Sequence, residues 1–448
     1  MLDYSGNLSN YFAMNTGNGS FARKDFGREG TWGVSLVDID LDGFLDLHLA
    51  RGFEGRPPST NRVFRNLDGQ TFQQMGPTEL GELLGPVGTA GAPTWLDFDD
   101  DGWIDMFGPS FVNYTGCKMY RNDGAGRFVS VTNQVTQDQV SGPLAVWGDY
   151  DNDGRVDLFV GAINGPSTIY RNLGSGRFER ASIGATLPDG AAVARWGDYD
   201  NDGFLDLVAN PVSPTRGCAL FHNSGNGTFT RITTEPIVTS VPSPTQSYDA
   251  AWLDYDNDGF LDLFVSNGED SGLPSVVNFL HHNNGNTNSW LKVKLVGTLS
   301  NRDAVGAKVR VKAAIWGGHR WQPRDFSAGE YGGVNNNPIA HFGLGDATSV
   351  DTLRVEWPSG QVTELHNVPV RQSLTITEAP GLRALGMNQG TMQMQITAHP
   401  GMNVGMAVSS NLVDWMPWQT LPQTNRTMRV TDPEAGQHPR RFYKARVQ

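Results

Sequence analysis

The sequence predicts an all-β chain: a six- to seven-bladed β-propeller, then a small β module, then a C-terminal β-sandwich-like domain. Three observations predict it. The nine-residue pattern D-x-D-x-D-G-x-x-D occurs five times, at residues 38–46, 97–105, 149–157, 198–206 and 254–262. The first aspartates of successive copies lie 59, 52, 49 and 56 residues apart, a period typical of architectures that repeat one small sheet. Each copy runs into a short apolar stretch, "FLDLHLA", "WIDMFGP", "RVDLFVG", "FLDLVAN" or "FLDLFVS", which is strand-like in length and alternation.

The loops come first because they dictate a chemistry. Positions one, three, five and nine are carboxylates: Asp38, Asp40, Asp42 and Asp46; Asp97, Asp99, Asp101 and Asp105; Asp149, Asp151, Asp153 and Asp157; Asp198, Asp200, Asp202 and Asp206; Asp254, Asp256, Asp258 and Asp262. Crowded into one tight loop, they repel one another unless a cation intervenes. Ca²⁺ takes six to eight oxygens in a flexible shell, and the four carboxylates plus the position-seven carbonyl of Phe44, Trp103, Arg155, Phe204 or Phe260 nearly fill it. Mg²⁺ fits less well because it demands a rigid octahedron and keeps its waters. Glycine at position six (Gly43, Gly102, Gly154, Gly203, Gly259) permits the positive φ that curls the chain round an ion. One such stretch alone could be a solvated turn; five at one spacing are expected to hold about five Ca²⁺. The start resembles an EF-hand loop, but position twelve carries no Glu and the flanks lack helical periodicity, so these loops join strands.

The remaining strands keep phase with the loops. A small or apolar strand such as "LAVWG" precedes each loop, and "VFRNLDGQTF", "MYRNDGAGRF", "IYRNLGSGRF" and "LFHNSGNGTF" follow, each a hairpin by its turn chemistry. About four strands per repeat make a propeller blade, which also hides sheet edges. "YFAMNTGNGSF" (11–21) is a further hairpin with no loop ahead of it; either strands from elsewhere complete that blade or the chain is a fragment of a longer precursor. The paired motifs resemble the FG-GAP/VCBS family of calcium-loop propeller repeats over about residues 1–287. That resemblance implies ring closure at about seven blades, leaving room for one blade from later sequence.

Residues 288–380 form the next unit, strongly alternating and without a metal loop. Asn301-Arg302-Asp303, Gly306-Ala307, His341-Phe342-Gly343-Leu344-Gly345 and Trp357-Pro358-Ser359-Gly360 resemble the ASPIC/UnbV family, although residues 328–336, "AGEYGGVNN", depart from its pattern. Residues 381–448, rich in Met and Thr, resemble the small β-sandwich modules that end many secreted bacterial proteins.

Net charge is −13, yet 21 of the 47 acidic residues lie in the five loops; the acidity reflects ion binding, and no basic stripe suggests nucleic acid. No apolar run reaches membrane length. Cys117 and Cys218 occupy equivalent points of non-adjacent repeats, too far apart for a disulfide, so both are expected as buried free thiols. Weak calcium sites suit millimolar extracellular Ca²⁺. The expected location is therefore secreted or at a bacterial cell surface, with any signal peptide absent from this sequence.

No G-x-S-x-G, H-E-x-x-H, P-loop or zinc spacing occurs. Arg65, Arg121 and Arg171 recur before the hairpin Asn, which marks a structural contact, expected toward the neighbouring blade. Irregular insertions break the repeat at 51–62, 108–116, 210–217, 235–249 and 267–277, and Arg56, Tyr114, Arg216, Tyr248 and Glu269 within them are candidate ligand contacts. The expected function is a non-catalytic, monomeric extracellular scaffold that binds or adheres to glycan or protein. The alternative is a carbohydrate-active enzyme, a polysaccharide lyase or hydrolase, with its site in the propeller funnel.

Overall fold

A computed structural model describes residues 10–15, 19–27, 31–51, 61–84, 93–109, 116–138, 140, 142, 144–162, 166–187, 191–211, 218–235, 238, 246–268, 277–326 and 339–448. Four antiparallel four-stranded sheets follow one another along the chain. They are Thr31–Val37, Asp46–Arg51, Arg62–Asn66 and Phe72–Gln74; Thr94–Leu96, Asp105–Gly108, Lys118–Asn122 and Phe128–Ser130; Leu144–Gly148, Asp157–Gly161, Thr168–Asn172 and Phe178–Arg180; and Ala191–Gly197, Asp206–Pro211, Ala219–Asn223 and Phe229–Ile232. A fifth, Gln246–Leu253, Asp262–Gly268 and Phe279–His281, has three described strands. Within each sheet, strands pair in chain order, as a meander joined by tight turns must. The nine-residue loop always joins the first strand to the second, and its last aspartate opens the second strand.

First strands pack on one another between the first and second, the third and fourth, and the fourth and fifth sheets, which places them on the inside of a propeller. The packing repeats with the sequence. Trp147, Trp196 and Trp252, at the end of a first strand, stack on Phe98, Tyr150 and Tyr199 of the preceding loop, with centroids 6.4 Å apart in each case. Gly148 and Gly197 leave room for the next blade's indole, since a Cβ there would lie 2.8 Å and 2.6 Å from Trp196 and Trp252. The N-terminal hairpin, Tyr11–Asn15 with Phe21–Asp25, continues the series by packing Phe12 edge-on against Phe26 and Phe72.

Among the described residues, no strand from Ser289 onward joins a blade, so the room left for a late blade is not filled from this part of the chain. Two further sheets form there instead. One is Ile339–Gly345, Ser289–Val296 and Gln372–Thr377, the last pair parallel; the other is Gly318–Asp325, Lys308–Ile315, Ser349–Glu356 and Val362–Pro369. Alternation along these strands sends Leu291, Val293, Val309, Val311, Phe342 and Leu353 into a common core, as expected of two half-buried sheets face to face. The last strands make two three-stranded sheets, Gly381–Asn388, Thr391–Thr397 and Thr427–Asp432, and Met416–Pro422, Asn403–Ser409 and Phe442–Val447, around Met394, Ile396, Val404 and Met406.

Candidate metal centres at the blade loops

All five loops share one backbone conformation. Position four is left-handed throughout, in Leu41, Asp100, Asn152, Asn201 and Asn257 (φ 57°, 61°, 55°, 56° and 63°), and position six is glycine with φ between 89° and 97°. Asn and Asp tolerate that region and Leu does not, so the loop imposes it on Leu41. The curl aims backbone N–H groups at the first carboxylate: Gly43, Gly102, Gly154, Gly203 and Gly259 donate to Oδ2 of Asp38, Asp97, Asp149, Asp198 and Asp254 at 2.8–3.0 Å. Phe44, Trp103, Arg155, Phe204 and Phe260 donate their N–H to the position-five carboxylate at 2.8–3.1 Å.

Position nine is a buried bracket. Asp46, Asp105, Asp157, Asp206 and Asp262 accept the N–H of position two on one oxygen and that of the hairpin Asn on the other. The hairpin Asn thus does more than turn the chain: it ties the third strand to the loop.

Several carboxylate sets are close enough to share one ion. Ligand atoms lie within 4.8 Å of one another in Asp38, Asp40 and Asp42, in Asp97, Asp99 and Asp101, in Asp149, Asp151 and Asp157, and in Asp198, Asp200 and Asp202. The donor chemistry fits a hard divalent cation, and Asp40 Oδ1, Asp99 Oδ1 and Asp254 Oδ1 are buried without a hydrogen-bond partner. A buried, unpaired carboxylate oxygen is costly unless something else satisfies it.

Without an ion, burial and like charge make these aspartates hard to ionise. Burial, then Asp42 and Asp46, pushes Asp38 up to about 8. Burial is also the main cause that pushes Asp46, Asp149 and Asp206 up to about 7 and Asp105 up to about 9. Asp157 and Asp198 are raised well above the ordinary carboxylate range, again chiefly by burial.

The recurring arginines face these carboxylates in their own repeat rather than the neighbouring blade. Arg65 meets Asp40 at 2.8 Å, Arg121 meets Asp99 and Asp101 at 2.7 and 2.6 Å, and Arg171 meets Asp151 and Asp153 at 2.6 and 3.0 Å. His222 and His282 take that place in the last two repeats, 3.1 and 3.2 Å from Asp206 and Asp262. The sequence signal was the alignment of "LFHN" with "MYRN". The hydrogen bond that His222 Nδ1 donates to Asp206 raises its pKa to about 9, which favours the cation at neutral pH, the charge that arginine carries in the other repeats.

The strands from Ser289 onward pack over the loops. His341 Nε2 lies 3.0 Å from Gly259 O, Trp316 Nε1 donates to Asp202 O at 2.9 Å, and the Arg426 guanidinium lies over the Phe44 ring at 4.7 Å. Between these strands and the inner blade strands is a cavity of about 230 Å³, lined by Trp147, Trp196, Trp252, Arg324, Asp325 and His341 among others.

Arg56, Tyr114, Arg216 and Glu269 lie outside the described residues, and Tyr248 sits in strand Gln246–Leu253. Four of the five insertions connect the second and third strands of one blade; only 235–249 connects two blades. Their flanking strand ends lie on the rim opposite the metal loops. Cys117 and Cys218 are buried and form no disulfide. No described helix is long and apolar enough to cross a membrane.

Comparison with known proteins adds two families. The FG-GAP-like repeat matches residues 38–108, 97–160, 149–209 and 212–265, about half of the chain, and "ASPIC and UnbV" matches 297–383. The chain is 29% identical over 304 residues to cartilage acidic protein 1 of Xenopus tropicalis, covering 63% of this chain and 42% of that one. It is 30% identical over 273 residues to that of Mus musculus, covering 57% and 39%. The chain therefore spans about two fifths of these relatives. A solved structure titled glycoside hydrolase aligns over 93% of each chain at 9% identity, with a TM-score of 0.26, too low to bear on fold or activity.

Proposed function

The chain belongs to the FG-GAP-like repeat family, and from that premise we propose an extracellular, calcium-stabilised propeller that serves as a non-catalytic scaffold for binding glycan or protein. The observation that carries it is the buried, unpartnered oxygen of Asp99 and Asp254 within loops that repeat one geometry five times. Asp38, Asp40, Asp42 and Asp46, with the Phe44 carbonyl, would hold the first ion, and the equivalent residues the other four. The ion would offset the mutual repulsion of the carboxylates and rigidify the blades. With the loop rim covered by later strands, the opposite rim, from which the insertions spring, is the face left for a ligand. The test is binding of the calcium-loaded chain to arrays of glycans and of extracellular proteins. Saturable binding lost on substitution of Tyr248 supports the reading, and silence on both arrays overturns it.

A second reading, a carbohydrate-active enzyme, draws on the funnel cavity, where His341 Nδ1 is buried without a partner. Burial holds that imidazole down at about 4, a weak base for proton abstraction. Incubation with acidic and neutral polysaccharides separates the readings: new chain ends with one polymer mark an enzyme.

A further inference from the structure

Later strands touch all five loops, but in two ways. At loops one, three and four the contacts reach backbone carbonyls: Arg426 Nη2 to Asp42 O at 3.2 Å, Arg310 Nη1 to Gly154 O at 2.9 Å, and Gly345 N to Asn201 O at 2.8 Å. At loops two and five an ammonium reaches the first carboxylate itself. Lys308 Nζ lies 3.0 Å from Asp97 Oδ2 and 2.5 Å from Asp100 Oδ1. Lys292 Nζ lies 2.5 Å from Asp254 Oδ2 and 3.3 Å from Asn257 Oδ1.

Both contacts are desolvated, with the lysine side chains 12% and 5% exposed, so their charge is weakly screened. Both also use the outer oxygen, Oδ2, which already accepts the glycine N–H. At loop five the other oxygen of that carboxylate, Asp254 Oδ1, is buried without a partner; at loop two Asp97 Oδ1 accepts the Asp101 N–H at 3.1 Å, and the buried oxygen without a partner is that of the next carboxylate, Asp99 Oδ1. Lysine and ion can therefore coexist in one loop, a few ångströms apart.

We infer that Lys292 and Lys308 are positioning residues that act as internal counter-ions, making loops two and five a weaker class of Ca²⁺ site whose occupancy is linked to docking of strands 289–377 on the propeller. An ammonium beside the first carboxylate repels a divalent ion, and when the ion leaves it offsets the remaining carboxylate repulsion. Among the described residues no ammonium reaches the first carboxylate of loops one, three and four; the Arg426 and Arg324 guanidinium groups act on Asp38, Asp149 and Asp198 only through space, without an ion-pair contact, and these loops should lose their curl with the ion. Loops two and five keep theirs and hold the later strands in place.

This inference rests on the calcium reading, and one titration separates the two. Calorimetric titration of the chelator-stripped full chain with Ca²⁺ is expected to resolve three tighter and two weaker sites, at least about tenfold apart. Lys292→Met and Lys308→Met, which keep the stem and remove the charge, should each move one weak site into the tight class, whereas Lys292→Arg should preserve the split. X-ray scattering in EDTA reads the docking. The wild type should stay compact and the double Met variant should extend. Five indistinguishable sites in the wild type overturn this inference alone, and require no variant to fold. Met variants that keep the wild-type split also overturn it. A titration without heat or bound calcium overturns both it and the calcium reading.

Discussion

Asn172 donates its side-chain amide to the main-chain carbonyl of Phe98, in the loop of the preceding blade, at 2.9 Å. Asn223 does the same to Tyr150 and Asn283 to Tyr199, each at 2.7 Å. The same amide also reaches the carbonyl before position nine in its own blade, as Asn172 does to Val156 at 3.0 Å. One residue thus pins a hairpin to its own loop and to its neighbour's. Asn172→Ala leaves two buried carbonyls unpaired and should cost roughly 2–4 kcal/mol. Asn66, whose amide reaches Leu45 O alone among the described residues, should cost about half that on the same substitution. Denaturant unfolding of both variants checks it, and equal losses would argue against a stabilising link between blades.

The glycines at position six share a backbone but not surroundings. A Cβ on Gly154 meets nothing within 4 Å, whereas one on Gly259 would lie 1.8 Å from Trp290. Gly154→Ala therefore bears only the left-handed strain, about 1–2 kcal/mol. Gly259→Ala must also displace the indole, adding roughly 1–3 kcal/mol. At saturating calcium Gly259→Ala should melt below Gly154→Ala; the reverse order would mean Trp290 is not seated on the fifth loop.

The loop aspartates set a pH dependence whose sign depends on the ion. Asp46, Asp149 and Asp206 are raised to about 7, Asp38 to about 8 and Asp105 to about 9 when no ion is bound. A folded-state value above the unfolded one means the fold takes up protons, so their contribution is full below about pH 4 and is lost as pH rises through 7 to 9. Chelator-treated protein should lose melting temperature steadily from pH 5 to pH 9. Calcium, which competes with those protons, should bind more tightly over the same interval and flatten the loss. Melts at several pH values with EDTA and with calcium test this. A chelated protein that becomes more stable toward pH 9 would contradict it.

Much of this was legible in the residues. The Asp/Gly spacing announced the curled loop and its left-handed positions, because each rests on a local backbone need; Leu41 shows that the loop overrides a poor residue. The partner of Arg65, Arg121 and Arg171 was misplaced, since recurrence tells that a contact exists but not which loop receives it. The hairpin Asn read as turn chemistry and proved also to be a link between blades. Lys292 and Lys308 carried no signal at all, because Lys308 meets Asp97 across 211 residues, and such a pairing exists only once two folded units dock. The insertions were visible as breaks in the repeat, yet their place within blades followed only from the strand order.

Counting bound metal is the most direct test of calcium as the element that holds these loops. The chain is dialysed to equilibrium against millimolar calcium, analysed for metal, and then melted with and without EDTA. About five calcium ions per chain are expected, with a melting temperature lower by roughly 10 °C or more once they are removed. Less than one ion per chain, with a melt unchanged in excess EDTA, would contradict it.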